Sequence, residues 1–296
     1  MRVIEYTVED YFEGKKLISF LRGHVKISVR LLRSLKRVEG GIKINGKNAR
    51  TVDLLHGGDT VTLSIPEDEN HSIPIDYELK VVYEDDDVLV IDKPAMLPMH
   101  ESHNHQGDTL ANAVAGYLQK KGRSLAFRAV GRLDKGTSGL VICALNSHAA
   151  ARLSGNFEKT YYAMATGYYE GTGTIDKPIY RPDPMKTYRT ADDRGDRAVT
   201  HYEVIESTAS FAFLKIRLET GRTHQIRVHF AYLGTPLYGD RMYGSEHPLI
   251  KRQALHCGEV SFNHPVTGER LTLKAELPED MKALRKAFTD ENIFKT

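Results

Sequence analysis

The sequence predicts an α+β fold: a body built on a mainly antiparallel sheet, preceded by a small N-terminal module. Strand-like runs outnumber helical ones and are not spaced as regular strand–helix–strand units, which argues against a doubly wound parallel sheet. The stretch from about 66 to 78, Pro66-Glu67-Asp68-Glu69-Asn70 through Pro74, lacks apolar periodicity and divides residues 1–65 from residues 79–296. A length of 296 residues accommodates about two domains, each with its own core.

In chain order, Leu17 and Leu21, then Ile27, Val29, Leu31, Leu32 and Leu35, give two short helices with basic outer faces. Ile42-Lys43-Ile44 reads as a strand running into an Asn45-Gly46 turn, and His56-Gly57-Gly58-Asp59 as a turn into a strand over Thr60–Leu63. The body opens near Leu79. Lys80–Tyr83 and Val88–Ile91 flank an acidic turn, and Thr109 stands where an N-cap would start a helix over Leu110–Leu118. The apolar run Leu140–Leu145 follows a Gly/Thr/Ser turn. Further strands fall at Tyr161–Thr166, Thr200–Ile205, Phe211–Leu218 and Leu271–Ala275, with helices over Thr223–Tyr232 and Pro278–Phe288.

Composition excludes some classes of function. No apolar run approaches the roughly 20 residues that span a bilayer, and Met1-Arg2-Val3-Ile4-Glu5-Tyr6 is too polar for a secretory signal, so a cytoplasmic location is expected. The two cysteines, Cys143 and Cys257, sit in apolar strand-like contexts and read as buried free thiols. Net charge is only +2, but its distribution is uneven. Between Tyr11 and Arg50 eleven basic residues, among them Lys26, Arg30, Arg33 and Arg37, stand against Glu13 and Glu39, a net of +9. A basic lobe on a near-neutral body is the footprint of a nucleic-acid binder.

Two segments concentrate chemistry. Gly131-Arg132-Leu133-Asp134-Lys135-Gly136-Thr137-Ser138-Gly139-Leu140 sets a carboxylate at the mouth of an apolar strand. Asp134 could be a nucleophile, a general base, a metal ligand or half of an ion pair. Arg132 or Arg222 could orient it bidentately. The second segment is Gly221-Arg222-Thr223-His224-Gln225-Ile226-Arg227-Val228-His229, too polar at a helix start to be core filling. A third run, Lys159-Thr160-Tyr161-Tyr162, offers a ring for stacking and a hydroxyl for proton relay, with Tyr161 and Tyr162 pointing to opposite strand faces.

Together, and in this order, the three runs resemble the RluA/RluD-type RNA pseudouridine synthases from about Val81 to Leu277, and the first 65 residues resemble an S4-like RNA-binding domain. The resemblance implies a pseudouridine synthase catalytic domain with Asp134 as catalytic carboxylate, Tyr161 in the active site, and Arg222 paired with the aspartate. It implies that Arg132 fills the gap left by an extruded base, and that the head helices lie on RNA backbone. The implied reaction detaches a uracil from its ribose and rejoins it through C5. Atoms are conserved, so no cofactor is implied. Large-subunit ribosomal RNA is the expected substrate, with tRNA as the alternative, and the protein is expected to be monomeric. The sequence departs from the family pattern at Gly131, where histidine is usual, and at Lys135-Gly136; these departures bear on substrate choice.

Other readings remain open at this stage. A ribosome-assembly factor on the same scaffold would keep the basic head without catalysis. A nucleosidase would need a second carboxylate, and none is evident in the sequence. His100-Glu101-Ser102-His103-Asn104-His105 could hold a metal through His103 and His105 only with a third ligand from elsewhere; it reads better as a polar loop over the site mouth, and no metal is expected.

Overall fold

A computed structural model of the chain describes residues 1–68, 70–102 and 105–290. Its N-terminal residues form a four-stranded sheet of β1 (Arg2–Thr7), β2 (Ile42–Ile44), β3 (Lys47–Asn48) and β4 (Thr60–Ile65), in the order β1-β4-β2-β3 and antiparallel throughout. Between β1 and β2 lie α1 (Leu17–Ser19), continued by a π-helical turn over Phe20–His24, and α2 (Val29–Leu35). Ser28 caps α2, its hydroxyl accepting from the Leu31 amide at 3.1 Å. Leu31, Leu32 and Leu35 share one helical face and are buried with Leu17, Phe20, Leu21, Val61, Leu63 and Ile65 in a core of their own. Asn45 and Gly46 both take positive φ, as the expected tight hairpin turn demands. β1 carries little signal in the sequence: only Ile4 of its six residues is buried, so the strand lacks an apolar alternation.

The body is a ten-stranded mixed sheet. Its path is β10 (Thr172–Asp176), β13 (Val199–Ser207), β14 (Phe211–Leu218), β9 (Phe157–Thr166), β15 (Leu255–Asn263), β8 (Ser138–Ala144), β6 (Val88–Lys93) and β5 (Val81–Glu84). Off this path β16 (Arg270–Lys274) pairs with β15, and β7 (Arg128–Val130) with β8. Every pairing is antiparallel except β8 with β15, so the expected mixed, mainly antiparallel α+β architecture is what forms. A separate two-stranded hairpin joins β11 (Ile179–Tyr180) to β12 (Thr190–Ala191). All seven residues of β8 are buried, which is why this central strand reads as a continuous apolar run. Gly139 makes the parallel pairing possible: a Cβ there would stand 2.2 Å from the Cys257 carbonyl oxygen. Cys143 and Cys257 are both buried free thiols.

Four helices complete the body: α3 (Leu110–Lys120), α4 (Ser147–Leu153), α5 (Gln225–Tyr232) and α6 (Glu279–Asp290). Thr109 caps α3 in a reciprocal box with Asn112. The stretch after Pro66 is tied down on α3, where the Ile75 amide donates to the Asn112 carbonyl and the Asn112 side chain donates to the Ile73 carbonyl. The head is joined to the body by polar contacts. Arg2 donates to both oxygens of buried Asp87, at 3.1 and 2.8 Å, and Tyr6 Oη lies 3.1 Å from His148 Nε2 of α4. No helix among the described residues is long and apolar enough to cross a membrane.

Candidate active site

A cavity of about 820 Å³ opens beside β9 and the start of α5, and its lining includes Gly131, Arg132, Asp134, Lys159, Tyr161 and Arg222. Asp134 lies in the turn between β7 and β8, not within a strand. That turn is fastened from below. Lys93, fully buried, donates to the Lys135 carbonyl at 3.3 Å as well as to those of Pro94 and Leu97. Arg252 donates to the Gly136 carbonyl at 3.2 Å, and the Gln253 amide to the Thr137 hydroxyl at 3.1 Å. The bonds to Lys135, Gly136 and Thr137 fix chain within three residues of Asp134, so the carboxylate is carried on an anchored turn.

The partner of Asp134 is Arg227. Its Nη1 donates to Asp134 Oδ2 at 3.2 Å, while its Nε and Nη2 grip Asp240 at 2.7 and 2.9 Å. The bidentate fork leaves one guanidinium edge for Asp134 alone. Arg227 is 7% exposed and Asp240 1%, so the network is sealed from solvent on the protein side. This corrects the pairing expected of Arg222. The Arg222 side chain lines the cavity but turns to Asp196 (3.4 Å) and the Arg197 carbonyl (3.1 Å). The reason is phase. Arg222 precedes α5 in an irregular stretch and lines the cavity wall, whereas Arg227 lies within the helix and is buried. A buried arginine flanked by Ile226 and Val228 needs a carboxylate partner, and that was the signal available in the sequence. Asp240 carried no such signal.

His224 sits in the left-handed region at φ 58°, with Nδ1 2.9 Å from Tyr243 Oη and Nε2 3.9 Å from Asp134 Oδ2. Burial pushes its imidazole below the ordinary histidine range, against the pull of Asp134. Tyr161 is 8% exposed and lines the cavity; burial, reinforced by the charges around it including Asp134, raises its phenol well above the usual value, so it is present as the neutral phenol. Tyr162 takes the opposite face and stacks on Phe213, which settles which of the two tyrosines meets the cavity. Arg132 is exposed at the rim. His229 is buried and bonded to Thr200 and the Lys177 carbonyl, so it packs beneath the site.

Of the histidine-rich loop, His103 and Asn104 lie outside the described residues, while His105 pairs with Asp108 at 2.7 Å. Among the described residues one group has the spacing of metal ligands, Asp85, Asp87 and His264. Its carboxylates are already engaged: Asp87 by Arg2 and Asn146, and Asp85 by Tyr83 and two backbone amides.

The geometry is that of a half-buried carboxylate, an arginine bridge and a neutral phenol at one cavity. The family model for RNA pseudouridylate synthase matches residues 87–232. A Bacillus subtilis (strain 168) protein described as an uncharacterized RNA pseudouridine synthase, YhcT, is 37% identical over 97% of this chain and 98% of its own length. The chain belongs to the RluA-type RNA pseudouridine synthases. The synthase is accordingly an RNA-modifying isomerase, and RNA is its substrate. It is also 37% identical to the ribosomal large subunit pseudouridine synthase D of Vibrio cholerae, over 86% of this chain and 85% of that protein. The corresponding Pseudomonas aeruginosa protein is 35% identical over 82% of each. The human RNA pseudouridylate synthase domain containing 1 superposes with a TM-score of 0.55 at 24% identity, covering 72% of this chain and 95% of that one, which marks a shared fold.

Proposed function

We propose that the synthase isomerises specific uridines of large-subunit ribosomal RNA, with Asp134 as the catalytic carboxylate. The observation that carries this reading is the Asp134–Arg227–Asp240 network at the floor of the cavity. Arg227 is saturated by Asp240 on one edge and holds Asp134 by a single hydrogen bond, which leaves the second Asp134 oxygen free to meet a nucleotide. The target uridine leaves its stack to enter, at a cost of a few kcal/mol. Asp134 attacks or promotes loss of the glycosidic bond. Tyr161 stacks on or relays a proton to the freed ring as it turns. Arg132, exposed at the rim, is free to occupy the vacated stack, and Arg222 lines the wall. Each role is supported by position in the free protein, and that of Tyr161 also by its neutral phenol.

Asp240 also bears on the nucleosidase reading, which lacked a second carboxylate. Asp240 is one, yet both its oxygens are held by Arg227 and Oδ1 also accepts from the Met242 and Tyr243 amides. It has no capacity left to act as an acid on substrate.

Residues 1–65 are proposed to be an S4-like RNA-binding domain joined by 66–78 to a catalytic domain over 79–296. Lys26, Arg30, Arg33 and Arg37 are exposed, and no ion pair engages them among the described residues. Free cations on one surface are what phosphate contacts require. The ribosomal assignment is supported by the named substrate of the two relatives above, and a cytoplasmic monomer is proposed with it. The test is chemical mapping of pseudouridine in total RNA with and without the gene. Loss of large-subunit sites, restored by the wild type and not by Asp134→Asn, is the expected result. Loss confined to tRNA would move the substrate, and restoration by Asp134→Asn would remove Asp134 from catalysis.

A further inference from the structure

Among the described residues lining the cavity, one buried side-chain polar atom has no hydrogen-bond partner. Lys159, two residues before Tyr161 on the same face of β9, lines the cavity, and its Nζ is buried without a hydrogen bond to any described residue. Its nearest aromatic neighbour is Phe157, whose ring centroid lies 5.4 Å away. Cys143 and Cys257 are its titratable neighbours, and both are buried thiols. Burial pushes the amine below the ordinary lysine range. A donor left unpaired in such a place is destabilising, and buried polar groups without partners are rare enough to require a reason.

Room for the amine comes from Gly131. This residue has φ of +76°, and a Cβ built on it would fall 3.0 Å from Lys159 Nζ and 2.9 Å from Phe157 Cζ. A side chain there would press on both and close the space in which the amine can swing. The departure at Gly131 and the unpartnered Lys159 thus belong to one local arrangement at the end of the cavity beyond Tyr161.

We infer that Lys159 is a substrate-contacting residue whose ε-amine donates a hydrogen bond to a carbonyl oxygen of the uracil ring drawn into the cavity. The inference rests on the reading of this cavity as the uridine site. A carbonyl is favoured over a phosphate because the amine lies in apolar surroundings, where a neutral acceptor can enter without the desolvation cost of an anion. Along β9 the spacing from Tyr161 is roughly 6.6 Å, so a base lying at Tyr161 can present its far edge to Lys159. The interaction forms only when substrate is bound, which explains why the free protein keeps the amine unmatched.

The experiment compares wild type, Lys159→Met, Lys159→Arg and Asp134→Asn in pseudouridine formation on ribosomal RNA from cells lacking the gene, alongside thermal melting and the salt dependence of RNA binding. Lys159→Met is expected to fold, to melt at or above the wild-type temperature because an unmatched amine is gone, and to fall about tenfold or more in kcat/KM. Its salt slope should equal that of the wild type, since a hydrogen bond to a base releases no counterion. Lys159→Arg should not restore activity, because the larger planar group cannot enter the space beneath Gly131. Unchanged kcat/KM in Lys159→Met overturns the inference. A salt slope smaller by about one overturns the carbonyl as acceptor in favour of a phosphate. A large fall in melting temperature together with the fall in activity makes Lys159 structural and also overturns it. If the wild type itself forms no pseudouridine on this RNA, it is the ribosomal reading that fails, and a wild-type result on tRNA then serves for the same comparison.

Discussion

The floor of the cavity and the outer face of the head handle charge in opposite ways. At the floor, Arg227 is divided between Asp134 and Asp240, with each of its three guanidinium nitrogens engaged by a carboxylate and almost no exposure to solvent. On the head, Lys26, Arg30, Arg33 and Arg37 project into water with no ion pair among the described residues. Buried charges must be matched in place, since an uncompensated one costs several kcal/mol. Exposed charges cost almost nothing to leave single, and a backbone of phosphates can match them later. The difference separates orientation of a reacting group, which needs a fixed network, from affinity, which needs free cations.

The comparison breaks most sharply at Asp134. Asp134→Asn keeps the size and one acceptor for Arg227 but removes the carboxylate. Pseudouridine formation in single-turnover assays should fall by at least about a thousandfold, with RNA affinity within about threefold of wild type. A variant that lost affinity and kept its rate would invert the division of labour. Next comes Arg227→Met, which leaves Asp240 buried with neither oxygen held by a cation. Denaturant unfolding should show a loss of roughly 3–5 kcal/mol, and activity should fall with it. Arg222→Met, by contrast, removes an exposed pair with Asp196 and should change stability by less than about 0.5 kcal/mol. Equal destabilisation by the two variants would contradict the assignment of Arg227 as the buried partner.

On the head the expectation is the reverse. Replacing Arg30, Arg33 and Arg37 together by alanine should leave the melting temperature nearly unchanged, because these side chains are exposed and unpaired within the described protein. RNA affinity should weaken, and the slope of log K against log salt should shrink by up to about 0.7–0.9 for each phosphate that is no longer neutralised. An unchanged slope would mean that the anchor lies elsewhere, for instance on the body around the cavity mouth.

Much of this was legible in the sequence because the physics was local. Alternation and continuous apolar runs marked β8, β9 and β14; Thr109 marked the start of α3; and Asn45-Gly46 marked a hairpin. The motif order also pointed to Asp134 and Tyr161 at one cavity, where the structure brings them together. What stayed hidden depended on distant chain. β1 is a head edge strand with a single buried residue, and β15, which pairs with β8, β9 and β16, is specified by neighbours more than a hundred residues away on one side. The exchange of Arg222 for Arg227 has the same origin. Both are arginines in one short segment, and only the start of α5 at Gln225 decides which one turns inward. Asp240 lies in a turn with no distinguishing pattern, so its role follows only from the fold.

Between the two regions sits a modest, pH-dependent effect, at His148. The imidazole is fully buried, its Nε2 lies 3.1 Å from Tyr6 Oη of the head, and its Nδ1 has no partner among the described residues. Burial first, and the nearby Arg152 second, push its pKa down from 6.5 to about 4, with Asp87 pulling weakly the other way. In the unfolded chain the histidine takes up a proton near pH 6.5, whereas the folded one resists until about pH 4. Between those values the unfolded state holds the additional proton, so stability is complete above about pH 6.5 and declines as pH falls, by about 1.4 kcal/mol for each pH unit once well below that point. Protonation also turns His148 Nε2 into a donor, which leaves Tyr6 as an acceptor only and weakens the seam. Wild type should therefore lose about 1 kcal/mol between roughly pH 7 and pH 5.5, and His148→Gln should lose less over the same interval. Parallel curves for the two proteins would mean that the acid sensitivity lies with other groups, and that the head is held to the body by the Arg2–Asp87 pair without help from this seam.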